Sequence, residues 1–314
     1  MREACVQLFE EYMEKNQGSV HKALAETIQA VTLLGLSRTD FFSHAAFYGG
    51  TALRLLYNLD RFSEDLDFSL LKPEKSFQLA FYLESLKDEM RAFGFNVEIE
   101  SREKGMNTPI ESAFIKADTR MHIIKAGTPE AIVKRIHKNA LCKVKLEIDT
   151  DPPPKAEFEV RYIDDPVPFS VRVYSGPALL AGKIDAVLYR GWQNRVKGRD
   201  WYDFAFLVRK KVPLLLHHLE ARFRQRGVYT DQAPLSPDQC MEMIARRIES
   251  VDFASARADV AAFIPDPRDL DVWSVDYFHH VLNNLQFFTG SEREIHTSRT
   301  ISKCSGLRKK KYPP

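Results

Sequence analysis

At 314 residues the chain has room for one large domain or two ordinary ones, and 44% hydrophobic residues supply a sizeable core. Charged residues make up 28% and nearly cancel to a net +2, which argues against a generally basic coat for nucleic acid. The four cysteines, Cys5, Cys142, Cys240 and Cys304, are far apart, which excludes a CxxC metal knuckle or redox motif and fits a reducing compartment.

The first residues, MREACVQLFEEYMEK, are amphipathic and acidic and lack the apolar core of a signal peptide. No apolar run approaches the length of a membrane span, so a cytosolic protein with no membrane partner is expected. Helices are predicted over residues 3 to 15 and 19 to 35. In the second, Ala23, Ile28, Val31 and Leu34 share a stripe and Ser19 stands at the cap position. Ala45 to Tyr48 reads as a short strand running into a Gly49-Gly50 turn, and Thr51 to Tyr57 as a short helix. Asp65 to Leu70 reads as a strand with Asp65, Asp67 and Ser69 on one face and Leu66 on the other.

Ser76 to Phe93 has a helical pattern that stops at Gly94. Phe95 to Glu100 and Ala113 to Ala117 read as strands, and Pro129 to His137 as a candidate helix. Leu141 to Asp149 alternates cleanly, with Val144, Leu146 and Ile148 on one face and Lys145, Glu147 and Asp149 on the other. The run DTDPPP ends that strand, and Phe169 to Val173 is one more. From Pro177 onward the pattern is helical almost to the end. A boundary near 175 therefore separates an α/β part, 1–175, from a helical part, 176–314. The basic tail RKKKYPP, Arg308 to Pro314, reads as a frayed, solvated end.

Three clusters carry chemistry. Asp65 and Asp67, two apart on one strand, place two carboxylates side by side, a donor pair for a hard cation such as magnesium. The Gly49-Gly50 turn before a helix start offers free amides to an anion, with Arg54 and Arg61 as added positive charge. A third acid comes from the LEID strand as Asp149 or Glu147, with Asp149 preferred because it lies at the strand end. Lys183, among apolar neighbours on a helix, either snorkels to solvent or reaches phosphates as a mobile charge. Asp200 and Asp203 suit capping and the dipole of the helix they open. Arg190, Arg195 and Lys197 make this stretch basic, and Trp192 and Trp201 lie among the charges. Such interleaving suits nucleic acid, although tryptophans more often pack in cores.

In order and spacing, GGTALR, RFSEDLDF, EIDTDPP, GKIDAVLYR and GRDWYDF, spread from Gly49 to Asp203, resemble the AbiEii family of nucleotidyltransferase-like toxins. That family lies within the polymerase-beta-like nucleotidyltransferase superfamily. The resemblance implies an α+β fold, a mixed sheet flanked by helices, with a C-terminal helical domain that completes the active site. It further implies that Gly49, Gly50 and Thr51 form a phosphate-binding turn and that Asp65 and Asp67 hold Mg2+. Lys183 would contact the phosphates of an NTP co-substrate, Ser63 would contact the nucleotide, and Asp200 would be the acid of the last motif. Asp149 or Glu147 would have to serve as the third carboxylate. The implied activity is transfer of a nucleotide to an RNA acceptor, tRNA in some members, by the toxin of a toxin–antitoxin or abortive-infection system. A cognate antitoxin is the implied partner. Transfer to a small molecule or protein, and a nucleotide- or RNA-binding module without turnover, are the alternatives.

Overall fold

A computed structural model describes residues 1–102, 109–127, 130–134, 136–190 and 196–288. Trp192, Arg195, Cys304 and the tail Arg308 to Pro314 lie outside the described residues. The first helices are α1 (Glu3–Lys15), α2 (Val20–Ser37) and the single turn α3 (Phe41–His44). Strand β1 (Ala45–Tyr48) runs straight into α4 (Gly49–Leu56), and β2 (Leu66–Leu70) and α5 (Ala80–Ala92) follow. Next come β3 (Val97–Arg102), β4 (Ile110–Asp118), α6 (Thr119–Lys125), α7 (Glu130–Val133) and β5 (Leu141–Asp149). Strands β6 (Phe158–Ile163) and β7 (Phe169–Tyr174) end the sheet-forming part. The helices α8 (Gly176–Tyr189), α9 (Gly198–Arg209), α10 (Leu216–Gln225), α11 (Pro237–Glu249), α12 (Phe253–Val260) and α13 (Val275–Asn283) complete the fold.

The strands form one seven-stranded sheet in the order β3-β4-β5-β2-β1-β7-β6. It is mixed: β1 pairs antiparallel with β2 and parallel with β7, and β2 pairs parallel with β5. With helices packed around it, the architecture is α+β. Alternation along β1 splits its side chains between two apolar cores. Ala45 and Phe47 join one with α2 and α5, while Ala46 joins the other with α8, α9 and α13. Every residue of α2 from Ala23 to Leu36 is buried, as expected of a helix enclosed on all sides.

The segment from Leu59 to Asp65 has no regular structure, yet most of it is buried. Its carbonyls need partners there, and side chains supply them. Arg54 donates to the Leu59 and Asp60 carbonyls at 3.1 and 2.6 Å. Gln29 on α2 donates to those of Ser63 and Glu64 at 3.0 and 2.9 Å. The Thr51 hydroxyl donates to the Asp65 carbonyl. These clamps fix the chain as it enters β2.

Several expectations shift. The helix expected from Ser76 starts at Ala80, because Phe77 turns inward against Phe41 and Tyr82. Strand β6 was not expected; as an edge strand it exposes Val160, Arg161 and Tyr162 in succession, so no alternation marks it. Trp201 is fully buried against Phe253 and Phe278, ring centroids 5.3 and 4.9 Å away, which places it in the core and away from any nucleic acid. Cys5, Cys142 and Cys240 are free and buried. No described helix is long and apolar enough to cross a membrane.

Candidate active site

The site lies where β1 ends and β2 begins. Tyr48, the last residue of β1, pairs with Asp67 across the antiparallel ladder, and Gly49 follows at once with φ +83°. A Cβ at Gly49 would collide with the Asp67 carboxylate. One at Gly50 would sit 2.6 Å from Arg61 Nη2 and 2.8 Å from Ser63 Oγ. The glycine pair is therefore required by close approach at both positions, and at Gly49 by the left-handed backbone as well.

Asp65 and Asp67 face one groove together with Glu147. Parallel register sets Glu147 directly across from Asp67, and Asp149 two residues on, across from Ser69. Burial pushes the Asp67 carboxyl up to about 7, helped by repulsion from Asp65 and Glu147 and opposed by Lys183 and Arg190. Asp67 keeps one edge open to the groove while protein surrounds the rest. Asp65 is also raised, by burial and then by Glu147 and Glu64. Of the two candidate third acids, Glu147 shares both clefts with Asp67, and Asp149 shares the larger one. Nearness to the strand end does not separate the two, because β2 begins alongside the last half of β5. Asp149 lies in the adjoining larger cleft, which Asp67 and Glu147 also line, beside Tyr48, Tyr174 and Arg222.

The opposite wall comes from the helical part. Lys183 on α8 is 13% exposed and reaches Asp203 at 2.7 Å and Asp200 at 3.2 Å, both on α9. Burial alone would lower the Lys183 pKa; the two acids outweigh it and hold the ammonium charged. Asp203 also takes both arms of Arg61, with Nε and Nη2 each at 2.6 Å. Burial would raise its carboxyl, but Arg61 and Lys183 keep it below the usual carboxylate range. Arg190 reaches Asp200 at 3.3 Å. Asp200 and Asp203 thus make ion pairs, and neither caps α9.

Two contiguous clefts, of about 300 Å³ and about 90 Å³, share Asp67, Glu147, Lys183, Arg190 and Asp200. The smaller also takes in Gly50, Arg61, Ser63 and Asp65. Gly49 lines the larger, whose far wall is Asp185, held by Arg222 at 3.2 Å and Arg226 at 2.8 Å. Two expected contributors are elsewhere. Arg54 is buried, with its guanidinium 2.6 Å from Glu26, and lines neither cleft. Thr51 is buried and its hydroxyl is committed to the Asp65 carbonyl. Both shape the loop that carries Asp65. The charge expected of Arg54 comes from Arg61.

Among the described residues no cluster of three His, Cys, Asp or Glu side chains is drawn together as a metal cage. The oxygen donors of Asp65, Asp67 and Glu147 still fit magnesium, which binds through one or two carboxylates and takes waters and substrate phosphates for the rest. Their mutual repulsion, visible in the raised Asp67 carboxyl, is what a cation relieves. Acids facing a buried lysine and arginines across a glycine turn make a site chemically suited to a phosphate-bearing substrate.

Comparison with known proteins agrees with this chemistry. The family described as nucleotidyl transferase AbiEii toxin, type IV TA system, matches residues 32–281. The chain belongs to this family and is a nucleotidyltransferase of a toxin–antitoxin type. None of the curated proteins matches it. Among solved structures it is similar to a presumed nucleotidyltransferase from H. pylori, with 19% identity, 89% of this chain and 96% of that one covered, and a TM-score of 0.48. It is also similar to JHP933 from Helicobacter pylori (17%, 90% and 97%, 0.48). A third is an antigenic nucleotidyltransferase-like protein from Paracoccidioides brasiliensis (17%, 76% and 93%, 0.41). The family match, which spans most of the chain, carries the assignment.

Proposed function

We propose that this protein is a magnesium-dependent nucleotidyltransferase that moves a nucleoside monophosphate from an NTP to an RNA acceptor, with tRNA the favoured substrate. The observation that carries the reading is the meeting of Asp65, Asp67 and Glu147 with Lys183 in one groove beside the Gly49-Gly50 turn. In the reaction, an acceptor hydroxyl forms a bond to the α-phosphorus, the bond to the pyrophosphate breaks, and the hydroxyl proton leaves to solvent or a carboxylate.

Asp65, Asp67 and Glu147 would hold magnesium. When bound, that ion neutralises phosphate charge and lowers the pKa of an attacking hydroxyl. Lys183 draws the polyphosphate, and Asp200 and Asp203 hold its ammonium in place until substrate arrives. Arg61, fixed by Asp203, adds a second charge beside Ser63 and Gly50. Protein side chains form no covalent intermediate; positioning and charge neutralisation do the work. Residues 1–175 would form the transferase domain and 176–314 the helical domain that completes it, a division supported by Lys183 and Asp200 closing the groove. Modified tRNA would stop translation in the cytoplasm, and a cognate antitoxin would restrain the enzyme.

The test is label transfer. The protein is incubated with Mg2+, each α-labelled NTP in turn and total tRNA, with Asp65→Ala as control. Label on RNA that the control loses supports the proposal. Label on protein or on a small molecule keeps the chemistry and changes the acceptor. Nucleotide binding with no label anywhere makes the chain a binding module and overturns the proposal.

A further inference from the structure

A cavity of about 800 Å³ lies apart from the catalytic groove, on the other side of α9. That volume is in the range of small-molecule sites. Part of its wall is aromatic, from Tyr202, Trp273 and Tyr277, with aliphatic and polar side chains for the rest. Tyr202 and Trp273 are almost buried, at 8% and 5% exposure, with ring centroids 6.3 Å apart. Neither the Tyr202 hydroxyl nor the Trp273 indole N–H is among the buried polar atoms that lack a partner, so these polar ends remain open to solvent. The rim carries Arg209 and Lys211, which make no ion pair among the described residues; Arg268, also on the rim, is held by Asp266 at 2.6 Å. Asp60 and Asp269 are the acids at the edge. Lys211 has φ +56° just past the end of α9, a position that glycine occupies without strain.

We infer that this cavity binds a nucleotide unit, its base against Trp273, Tyr202 and Tyr277 and its phosphate at Arg209 and Lys211. Flat aromatic walls with mobile cations at the rim match a base and its phosphate, and such stacking tolerates any base. Aliphatic ligands would leave the cations unused, and a cationic ligand would be repelled by them. The nucleotide can belong to the acceptor strand or be free in solution. Placement favours the strand. Along α9, Asp200 and Asp203 face the groove while Tyr202, Ala205 and Arg209 line the cavity. Asp203 and Arg209 are about 9 Å apart along the axis. Asp60 borders the cavity and the adjacent Arg61 the groove. A strand that continues past the groove would have to pass around α9, about one helix diameter, to reach the cavity. The strand assignment rests on the transferase reading; the nucleotide site itself does not.

The test uses the full chain with Arg209→Ala and Lys211→Ala combined, both exposed positions, and Tyr277→Ala as a second variant. Binding of a fluorescent single-stranded oligoribonucleotide and of AMP is measured without metal or NTP, in a Lys183→Ala background that disables the groove. KM values for RNA and NTP are measured in the otherwise wild-type chain. The expected result is about a tenfold loss of oligonucleotide binding in both variants, a similar rise in KM for RNA, and unchanged kcat and KM for NTP. Loss of AMP binding with an unchanged KM for RNA assigns the site to a free nucleotide. Unaltered binding of both probes overturns the inference, whatever the label-transfer assay shows. If no transfer is detected at all, the binding arm alone decides.

Discussion

Asp67→Asn is expected to make the metal-free protein more stable while abolishing transfer. The carboxyl is raised from 3.8 to about 7. At about 1.4 kcal/mol per pH unit, the buried charge costs up to ~4 kcal/mol above pH 7. The open edge toward the groove admits solvent and brings the expected gain nearer ~2 kcal/mol. Because the folded pKa lies above the unfolded one, the wild-type contribution is intact below pH 3.8 and is lost as pH rises through about 7. The gain from Asn should therefore be largest at pH 8 and shrink toward pH 4. The Asp67 carboxyl accepts no hydrogen bond from a described residue, so the substitution loses none. Urea melts in EDTA at pH 8 and pH 5 measure the difference; in a thermal melt it amounts to about 4 °C. Mg2+ should raise the melting temperature of the wild type and leave the variant unmoved. A destabilised Asn variant, or a gain that ignores pH, would refute this account of the acid cluster.

Lys183→Ala should raise KM for NTP or remove transfer, and cost about 2 kcal/mol in a urea melt, since Asp203 keeps Arg61 as its remaining partner. Gln29→Leu leaves the Ser63 and Glu64 carbonyls without their clamp. A stability loss of about 2–4 kcal/mol and a kcat roughly tenfold lower are expected from steady-state assays, with RNA binding unchanged. His218 is fully buried, donates Nδ1–H to the Pro154 carbonyl at 2.9 Å, and has its pKa pushed down from 6.5 to about 4, chiefly by burial. Since the folded value is the lower one, stability is intact above pH 6.5 and falls as pH drops through about 4, by up to ~3 kcal/mol. Denaturant melts across this range should show the decline, and His218→Gln should flatten it.

What was legible in the sequence was local. Strand β5 has the expected bounds because burial alternates residue by residue along LCKVKLEID. The Gly49-Gly50 turn and the paired Asp65 and Asp67 were legible because their geometry is set within a few residues. Pro177 marked the first turn of α8, where Ser175 caps the helix. What was hidden depends on distant parts of the chain. Choosing between Glu147 and Asp149 needs the register of two strands some 80 positions apart, which no local pattern encodes. Arg54 and Arg61 look alike in sequence; one meets Glu26 on α2 and the other Asp203 on α9. Asp203 looked like a helix-start acid because the partners that claim it lie outside its own segment.

The Arg61–Asp203 pair spans 142 positions. A ribosome would release the whole sheet before α9 emerges. Until then Arg61 and Lys183 have no acid to hold them, and the groove lacks its second wall. A nascent chain would thus hold the strands and glycine turn of the site in place before it has the wall that closes them, and the groove would become complete only after α9 has folded against the sheet.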